Sequence, residues 1–223
     1  MNILVTGAAG FLGRRLIQAL LERGSLTDRH GQLRPIQRIT AFDRDPVQGL
    51  DDPRVQVKGG DITDPQVLAN LIDANTQGIF HLAAVVSSQA ESDFDLGMRV
   101  NFSATQGLLE RARQLGTCPK WVMTSSVAVF GGQLPDTVGD DQVWSPQSSY
   151  GTQKAMNDLL LADYSRRGFV DGRSLRMPTI VVRPGKPNLA ASSFASGIIR
   201  EPLNGQASVC LLYTSPSPRD RQK

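Results

Sequence analysis

Tyr150 and Lys154 stand four residues apart in Ser149-Tyr150-Gly151-Thr152-Gln153-Lys154, and the run from Ala155 to Ala162 after them has helical composition. Positions i and i+4 of a helix share one face, so the phenol and the ammonium can point into one site. A free phenol has a pKa of about 10 and is a poor base near neutrality. A fixed cation beside it favours the phenolate and lowers that value. The expected outcome is an acid/base that exchanges a proton with an alcohol. The pairing also arises by chance, so its meaning depends on what the rest of the chain places around it.

The elements needed to position that pair can be read in order. Ile3-Leu4-Val5 is a short apolar run, followed by Thr6, the loop Gly7-Ala8-Ala9-Gly10-Phe11-Leu12-Gly13 and a helical stretch from Arg14 to Leu21. Strand, glycine turn and helix form the context of a dinucleotide loop: glycines let the backbone turn tightly, and a pyrophosphate sits on the helix N-terminus. The spacing is GxxGxxG rather than GxGxxG. Residues 25–36 read as a polar inserted loop. A second strand, Ile36 to Phe42, runs into Asp43, whose carboxylate can accept from ribose hydroxyls and repels a 2'-phosphate, which favours NAD over NADP. Arg44 beside it could stack on adenine or tolerate a phosphate.

A third strand, Val55 to Lys58, leads to Asp61 and Ile62, placed to meet an adenine. Thr63 or Asp64 then caps a helix carrying Val67, Leu68, Leu71 and Ile72. Gly78 to Leu82 is a fourth strand, with the small residues Ala83-Ala84 after it. His81, inside that apolar run, reads as core. Residues 91–115 read as one helix containing Asn101, and an Asn pointing inward there would suit holding a water or a strained carbonyl. Trp121-Val122-Met123 is a fifth strand ending in Thr124-Ser125-Ser126. A helix from Ser148 to Arg167 carries the Tyr/Lys pair, and Ser174 to Arg183 is a sixth strand. Strands alternating with helices predict an α/β fold: a doubly wound parallel sheet of Rossmann type with helices on both faces.

Composition narrows the partners. The 223 residues are 40% hydrophobic and 20% charged, as in a globular chain with a sizeable core. Two of the three net positive charges come from Arg219, Arg221 and Lys223 set against Asp220. No basic patch invites nucleic acid. Two cysteines and two histidines give neither a disulfide framework nor a metal-ligand cluster, so no metal is expected. No signal peptide and no membrane-spanning run are read, which makes a cytoplasmic location the expectation.

Gly7/Gly10/Gly13, Asp43, Asp61-Ile62, His81-Leu82-Ala83-Ala84, Asn101, Ser125-Ser126, Tyr150/Lys154 and Arg183-Pro184-Gly185 together resemble the extended short-chain dehydrogenase/reductases, the group of the NAD-dependent epimerases and dehydratases. The likeness covers residues 1 to about 205. One departure is Val129-Phe130-Gly131, where members often carry Val-Tyr-Gly. The stretches 81–89, 125–132, 176–188 and 192–205 resemble the branch that uses NAD to oxidise a four-carbon sugar acid at its 2-hydroxyl.

The resemblance implies a catalytic set of Ser126, Tyr150, Lys154 and Asn101. It implies NAD contacts from Gly7, Gly10, Phe11, Leu12, Gly13, Asp43, Asp61, Ile62, Leu82, Ala83, Ala84, Tyr150 and Lys154. Substrate would meet Ser126 and Tyr150. Ser87, Ser88, Lys186 and Asn188 are candidate donors to the substrate carboxylate, or plain loop residues. Two other functions stay open on the same fold: a nucleotide-sugar epimerase or dehydratase that recycles its NAD, and a non-catalytic NAD-binding protein.

The last residues change character. Cys210-Leu211-Leu212-Tyr213-Thr214-Ser215-Pro216-Ser217-Pro218-Arg219-Asp220 has no strand or helix period and resembles the translation of a sequencing adaptor, or else a disordered tail. The expected organisation is a NAD-binding domain over residues 1–185, the start of a substrate lobe over 186–209, and a non-native tail over 210–223. The C-terminal substrate lobe would then be largely missing, with weak NAD binding, poor turnover and exposed apolar surface. A homodimer is expected of the full-length protein.

Overall fold

The computed structural model describes residues 1–139, 141–182 and 193–209. Two compact units divide the chain, Met1–Met177 and Pro178–Lys223.

The first unit is built on six parallel strands. They are β1 (Asn2–Thr6), β4 (Arg38–Asp43), β5 (Val55–Gly59), β6 (Thr76–His81), β7 (Lys120–Ser126) and β8 (Asp171–Met177), in the order β5-β4-β1-β6-β7-β8. The order reverses between β1 and β6, the switch point outside whose carboxyl ends such sheets bind ligands. β1 is buried on both faces, which is why it reads as an unbroken apolar run. Its side chains alternate between two cores. Ile3 and Val5 join Ile17 and Leu20 of α1 (Phe11–Arg23), with Ile39 and Ala41 of β4. Leu4 joins Ile79, Trp121 and Met123 with Leu108, Leu109 and Ala112 of α5 (Ala104–Leu115) and Leu161 of α6 (Ser149–Arg166). Each such side chain contributes about 1.5–3 kcal/mol when fully buried, so helices on both faces are the stable solution.

Several boundaries depart from the sequence reading. Residues 25–36 hold an antiparallel hairpin, β2 (Ser25–Thr27) with β3 (Leu33–Pro35). Asp28 organises its turn, accepting from the His30 and Gln32 amides at 2.9 Å and from Arg34 Nε at 3.1 Å. β3 is exposed and β2 half-buried throughout, so no alternation advertises the hairpin. β8 begins at Asp171, and Pro178, which has no N–H for a ladder, follows its last residue; Arg183 lies outside the described residues. Asp64 is the cap of α2 (Pro65–Leu71), accepting from the Gln66 amide at 2.8 Å.

The single helix expected over 91–115 is four pieces: α3 (Ser87–Ser92), α4 (Phe94–Gly97), a π-helical turn over Met98–Ser103, and α5. Asp93 breaks it. It leaves helical geometry (φ −132°) and its carboxylate caps the Leu96 amide at 2.9 Å. The π turn inserts extra backbone and so shifts the phase of the helix after it.

His81 is core, as read. Its Nδ1 lies 2.7 Å from Thr6 Oγ1 and its Nε2 2.9 Å from Thr105 Oγ1. Burial, with a smaller push from the Lys154 charge, lowers its pKa to about 3.

In the second unit, α7 (Ser193–Leu203) lies within the stretch 192–205 singled out in the sequence, of which Asn204 and Gly205 form a turn and Ser192 lies outside the described residues. Arg200 and Glu201 form an ion pair on it, and Ser196 Oγ approaches the Ile180 carbonyl at 3.5 Å.

Candidate active site

The glycine loop is shaped by what has no room to be there. Gly7 has φ +74°, and a Cβ on it would stand 2.8 Å from the Ala83 nitrogen and the Leu82 carbonyl carbon. A Cβ on Gly13 would stand 2.2 Å from the Gly7 oxygen. The first glycine therefore lets β1 turn against the end of β6, and the third lets α1 start directly under the loop. Gly10 closes the turn, its N–H donating to the Gly7 carbonyl at 3.2 Å. Phe11, Leu12 and Gly13 open α1, where helix amides have no carbonyl of their own and the dipole favours an anion.

Asp43 stands at the end of β4, as expected, with a task the sequence did not reveal. Its Oδ2 accepts from the Ala9 amide at 2.8 Å and its Oδ1 from the Asp45 amide at 3.1 Å. The carboxylate holds the loop. Asp61 is exposed, with its Oδ1 accepting from the Thr63 amide and hydroxyl, both at 2.8 Å; these bonds hold its carboxyl below the usual range. Ile62 is only 6% exposed and belongs to the core, so its side chain offers little face to a base. Leu82 and Ala83 are tied to Thr6, whose carbonyl and hydroxyl accept from their amides at 3.1 and 3.3 Å. The loop after β6 is thereby pinned beside the glycine loop.

Three of the side chains expected to handle the proton stand at the end of β7 and the start of α6. Ser148 caps α6, its hydroxyl accepting from the Gly151 amide at 3.1 Å, which places Tyr150 in the first turn and Lys154 in the second. The Ser126 hydroxyl is close enough to the Tyr150 phenol to act on its titration, and it accepts from the Ala128 amide at 3.1 Å. Lys154 Nζ lies 5.6 Å from the centre of the Tyr150 ring and donates to the Thr124 carbonyl at 2.7 Å. Ser126, Tyr150 and Lys154 therefore form one cluster, as expected.

The electrostatics differ from the expectation. Burial raises the Tyr150 phenol above its ordinary value, with the Ser126 hydroxyl working against it. Lys154 is only 5% exposed, and desolvation lowers its pKa to about 8, opposed by the charge of Asp158. An ammonium aimed at a carbonyl of β7 is thus not what sets the phenol.

Asn101 points inward from the π turn and is 1% exposed. Its Oδ1 accepts from the Val85 amide at 2.9 Å, while its Nδ2 donates to the Val85 carbonyl at 3.2 Å and to Gln153 Oε1 at 2.7 Å. Both amide hydrogens are thus used in fastening the loop after β6 to α6. The Asn101 carbonyl accepts from Asn157 Nδ2 at 2.7 Å and from Thr105 Oγ1 at 2.8 Å. Ser87 and Ser88 open the short α3 beyond β6. Lys186 and Asn188 lie outside the described residues.

Sequence reasoning missed Gln153, Asn157, Asp158 and Arg176. Asp158 and Asn157 were read as filler in a helix. The usable signal was spacing: Asp158 lies four residues after Lys154, on the face that carries Lys154 and Tyr150.

Among the described residues no cluster of three His, Cys, Asp or Glu could hold a metal, and no helix is long and apolar enough to cross a membrane.

A parallel sheet with a switch-point crevice, a glycine loop there and a Ser/Tyr/Lys cluster beside it define a dinucleotide-binding Rossmann protein. The chain matches the NAD dependent epimerase/dehydratase family over residues 3–220 and belongs to it. NAD is the cofactor that this membership assigns. Among its relatives, D-erythronate dehydrogenase of Cupriavidus necator is 63% identical over 210 residues, 94% of this chain and 64% of that protein. D-erythronate dehydrogenase of Haemophilus influenzae is 47% identical over 94% of this chain and 64% of its own length. The crystal structure of a nucleoside-diphosphate-sugar epimerase from Agrobacterium tumefaciens superposes with a TM-score of 0.85 at 46% identity, covering 94% of this chain and 62% of that one. The chain thus spans about two thirds of the length of the curated relatives it matches, a little less in each case.

Proposed function

We propose that this chain is the cofactor-holding part of an NAD-dependent oxidoreductase that converts the 2-hydroxyl of a four-carbon sugar acid, D-erythronate, to a ketone. The observation that carries the reading is Lys154 5.6 Å from the Tyr150 ring on α6, at the end of the strand that carries Ser126, in a chain 63% identical to a D-erythronate dehydrogenase. The glycine cradle fits the cofactor: Gly7 and Gly13 are packed against backbone where any Cβ would collide, so the loop turns tightly into α1, whose first amides have no carbonyl of their own helix to bond. Bound NAD supplies the acceptor for the hydrogen and electron pair leaving the carbinol carbon.

The chain's own groups handle the proton. Ser126 holds the substrate oxygen against Tyr150, and Tyr150 takes up the hydroxyl proton as the carbonyl forms. A phenol raised by burial is a reluctant acid, so proton uptake belongs to a moment when the site's charges favour the phenolate. Lys154 would help hold the nicotinamide ribose and would supply positive charge there. Asn101 acts through position, by fastening Val85 and Gln153. Residues 1–185 would carry the cofactor and residues 186–209 begin the substrate lobe, where Lys186 and Asn188 are candidates for the carboxylate.

The test is NADH formation from four-carbon aldonic acids, with NAD binding followed separately by fluorescence. Tyr150→Phe should leave NAD affinity nearly intact and lower turnover by roughly 100-fold or more. Unchanged turnover would remove Tyr150 from the chemistry. The Agrobacterium structure, titled as a nucleoside-diphosphate-sugar epimerase, favours a second reading in which NAD is recycled within the site. That reading requires conversion of a nucleotide sugar with no net NADH.

A further inference from the structure

Asp158 is 4% exposed in the middle of α6. A buried carboxylate costs several kcal/mol of desolvation unless donors and a cation surround it. Here they do. Ser125 Oγ donates to Oδ2 at 2.9 Å, Ser174 Oγ donates to Oδ1, and Arg176 Nε approaches Oδ2 at 3.4 Å. The strands supplying these donors are paired in register, Ser125 opposite Arg176 and Met123 opposite Ser174. Arg176 is held in turn by stacking, its guanidinium 4.4 Å from the Trp144 ring centre and 5.5 Å from that of Phe130. Phe130 is the residue standing where relatives often carry tyrosine, so the departure from the family pattern gives an apolar plane to this arginine.

One helical turn before Asp158, on the same face, is Lys154. Its ammonium is buried and has a carbonyl, not a carboxylate, within hydrogen-bond reach. A charge so placed survives only if the field around it is negative. We infer that Asp158 is the positioning residue of the Tyr150–Lys154 pair: anchored by Ser125, Ser174 and Arg176, it keeps the buried Lys154 amine in its charged form at the end of β7.

The charged and titratable groups facing this pair come from four elements. On α6 they are Tyr150, Lys154 and Asp158 themselves; from β8 comes Arg176, and from β6 the neutral His81. β7 contributes the Ser125 hydroxyl and the Thr124 carbonyl. Arg176 and Lys154 compete for one carboxylate. The stacking of Arg176 holds it to the Asp158 edge, leaving the rest of the field to Lys154. The inference rests on the proposed function for its consequence, since a charged Lys154 is what that chemistry uses. Its test does not.

The experiment is NMR titration of the lysine side chains in the 223-residue chain, with Lys154 assigned by Lys154→Arg. Burial has already brought its pKa to about 8, with Asp158 opposing the fall. In Asp158→Asn the midpoint should drop by a further pH unit or roughly that, and Asp158→Glu should restore most of it. Should the single variant fail to fold, Asp158→Asn with Arg176→Gln removes both charges of the pair, which spares folds that a lone unpaired charge disrupts, and should show a smaller fall, because a repelling cation leaves with the attracting carboxylate. Ser174→Ala, which removes an anchor and no charge, should move the midpoint far less. A midpoint unchanged in folded Asp158→Asn, or raised in the double variant, overturns the inference, as does a wild-type Lys154 already neutral at pH 7. Failure of the functional reading looks different: NADH does not bind the wild-type chain, while the lysine titration is as described.

Discussion

The two sides of the crevice are positioned by opposite means. On the β1/α1 side the geometry is a matter of backbone: Gly7 and Gly13 act by lacking atoms, and the amides of the loop do the holding. On the β6/β7/α6 side nearly every position depends on a buried polar side chain finding its partner: Asn101 on Val85, His81 between two threonines, Asp158 among three donors. The first design needs few residue types and tolerates none larger. The second tolerates changes of shape but not of hydrogen-bonding capacity, because an unpaired buried group costs more than the bond was worth.

That contrast can be broken at four points. The largest effect belongs to Gly13→Ala. The Gly7 oxygen 2.2 Å from the new Cβ is backbone and cannot swing aside, so a loss of about 3 kcal/mol is expected in denaturant unfolding. NADH binding should fall with it. Next is Asn101→Ala, which strands the Val85 amide and carbonyl and Gln153; about 2 kcal/mol is expected, with NADH affinity changing by only a few-fold. A costlier Asn101→Ala than Gly13→Ala would reverse the comparison.

His81 gives a pH signature. Its folded pKa of about 3 lies below the ordinary 6.5, so between those values the unfolded chain binds a proton that the folded chain does not. Its stabilising contribution is complete above pH 6.5 and is lost progressively as pH falls towards 3. Denaturant midpoints against pH should show a shallower acid limb in His81→Gln than in the parent chain. The smallest effect is Ser125→Ala, which removes one of the donors to Asp158 and should cost about 1 kcal/mol while the Lys154 charge is retained.

The backbone half was the legible half. A glycine at a turn leaves its mark in the sequence by its identity, and a strand buried on both faces leaves an apolar run. The order of elements, the glycine loop, Asp43 and the Ser126/Tyr150/Lys154 cluster were therefore readable. The polar half was not, because Asp158, Asn157 and Gln153 look like the solvated face of any helix until tertiary packing brings Ser125, Ser174 and Asn101 against them. The direction of the Tyr150 shift failed for a related reason. Spacing put an ammonium beside the phenol, but only coordinates show that burial outweighs it and that Lys154 donates to Thr124. The hairpin around Asp28 was invisible because its strands are three residues long and neither alternates between buried and exposed positions. β8 was set too late because the apolar residues after Pro178 outweighed the proline.

Tyr150 is the second residue of an 18-residue helix capped by Ser148. The peptide dipoles of α6 sum to a partial positive pole at that end, felt within one turn. The phenol sits inside that turn and Asp158 well beyond it. The helix itself thus pulls the oxygen towards the ionised form that burial resists, and it does so without any side chain. Sliding the tyrosine a single turn along α6, with its neighbours carried along, would surrender that assistance even if every hydrogen bond were rebuilt.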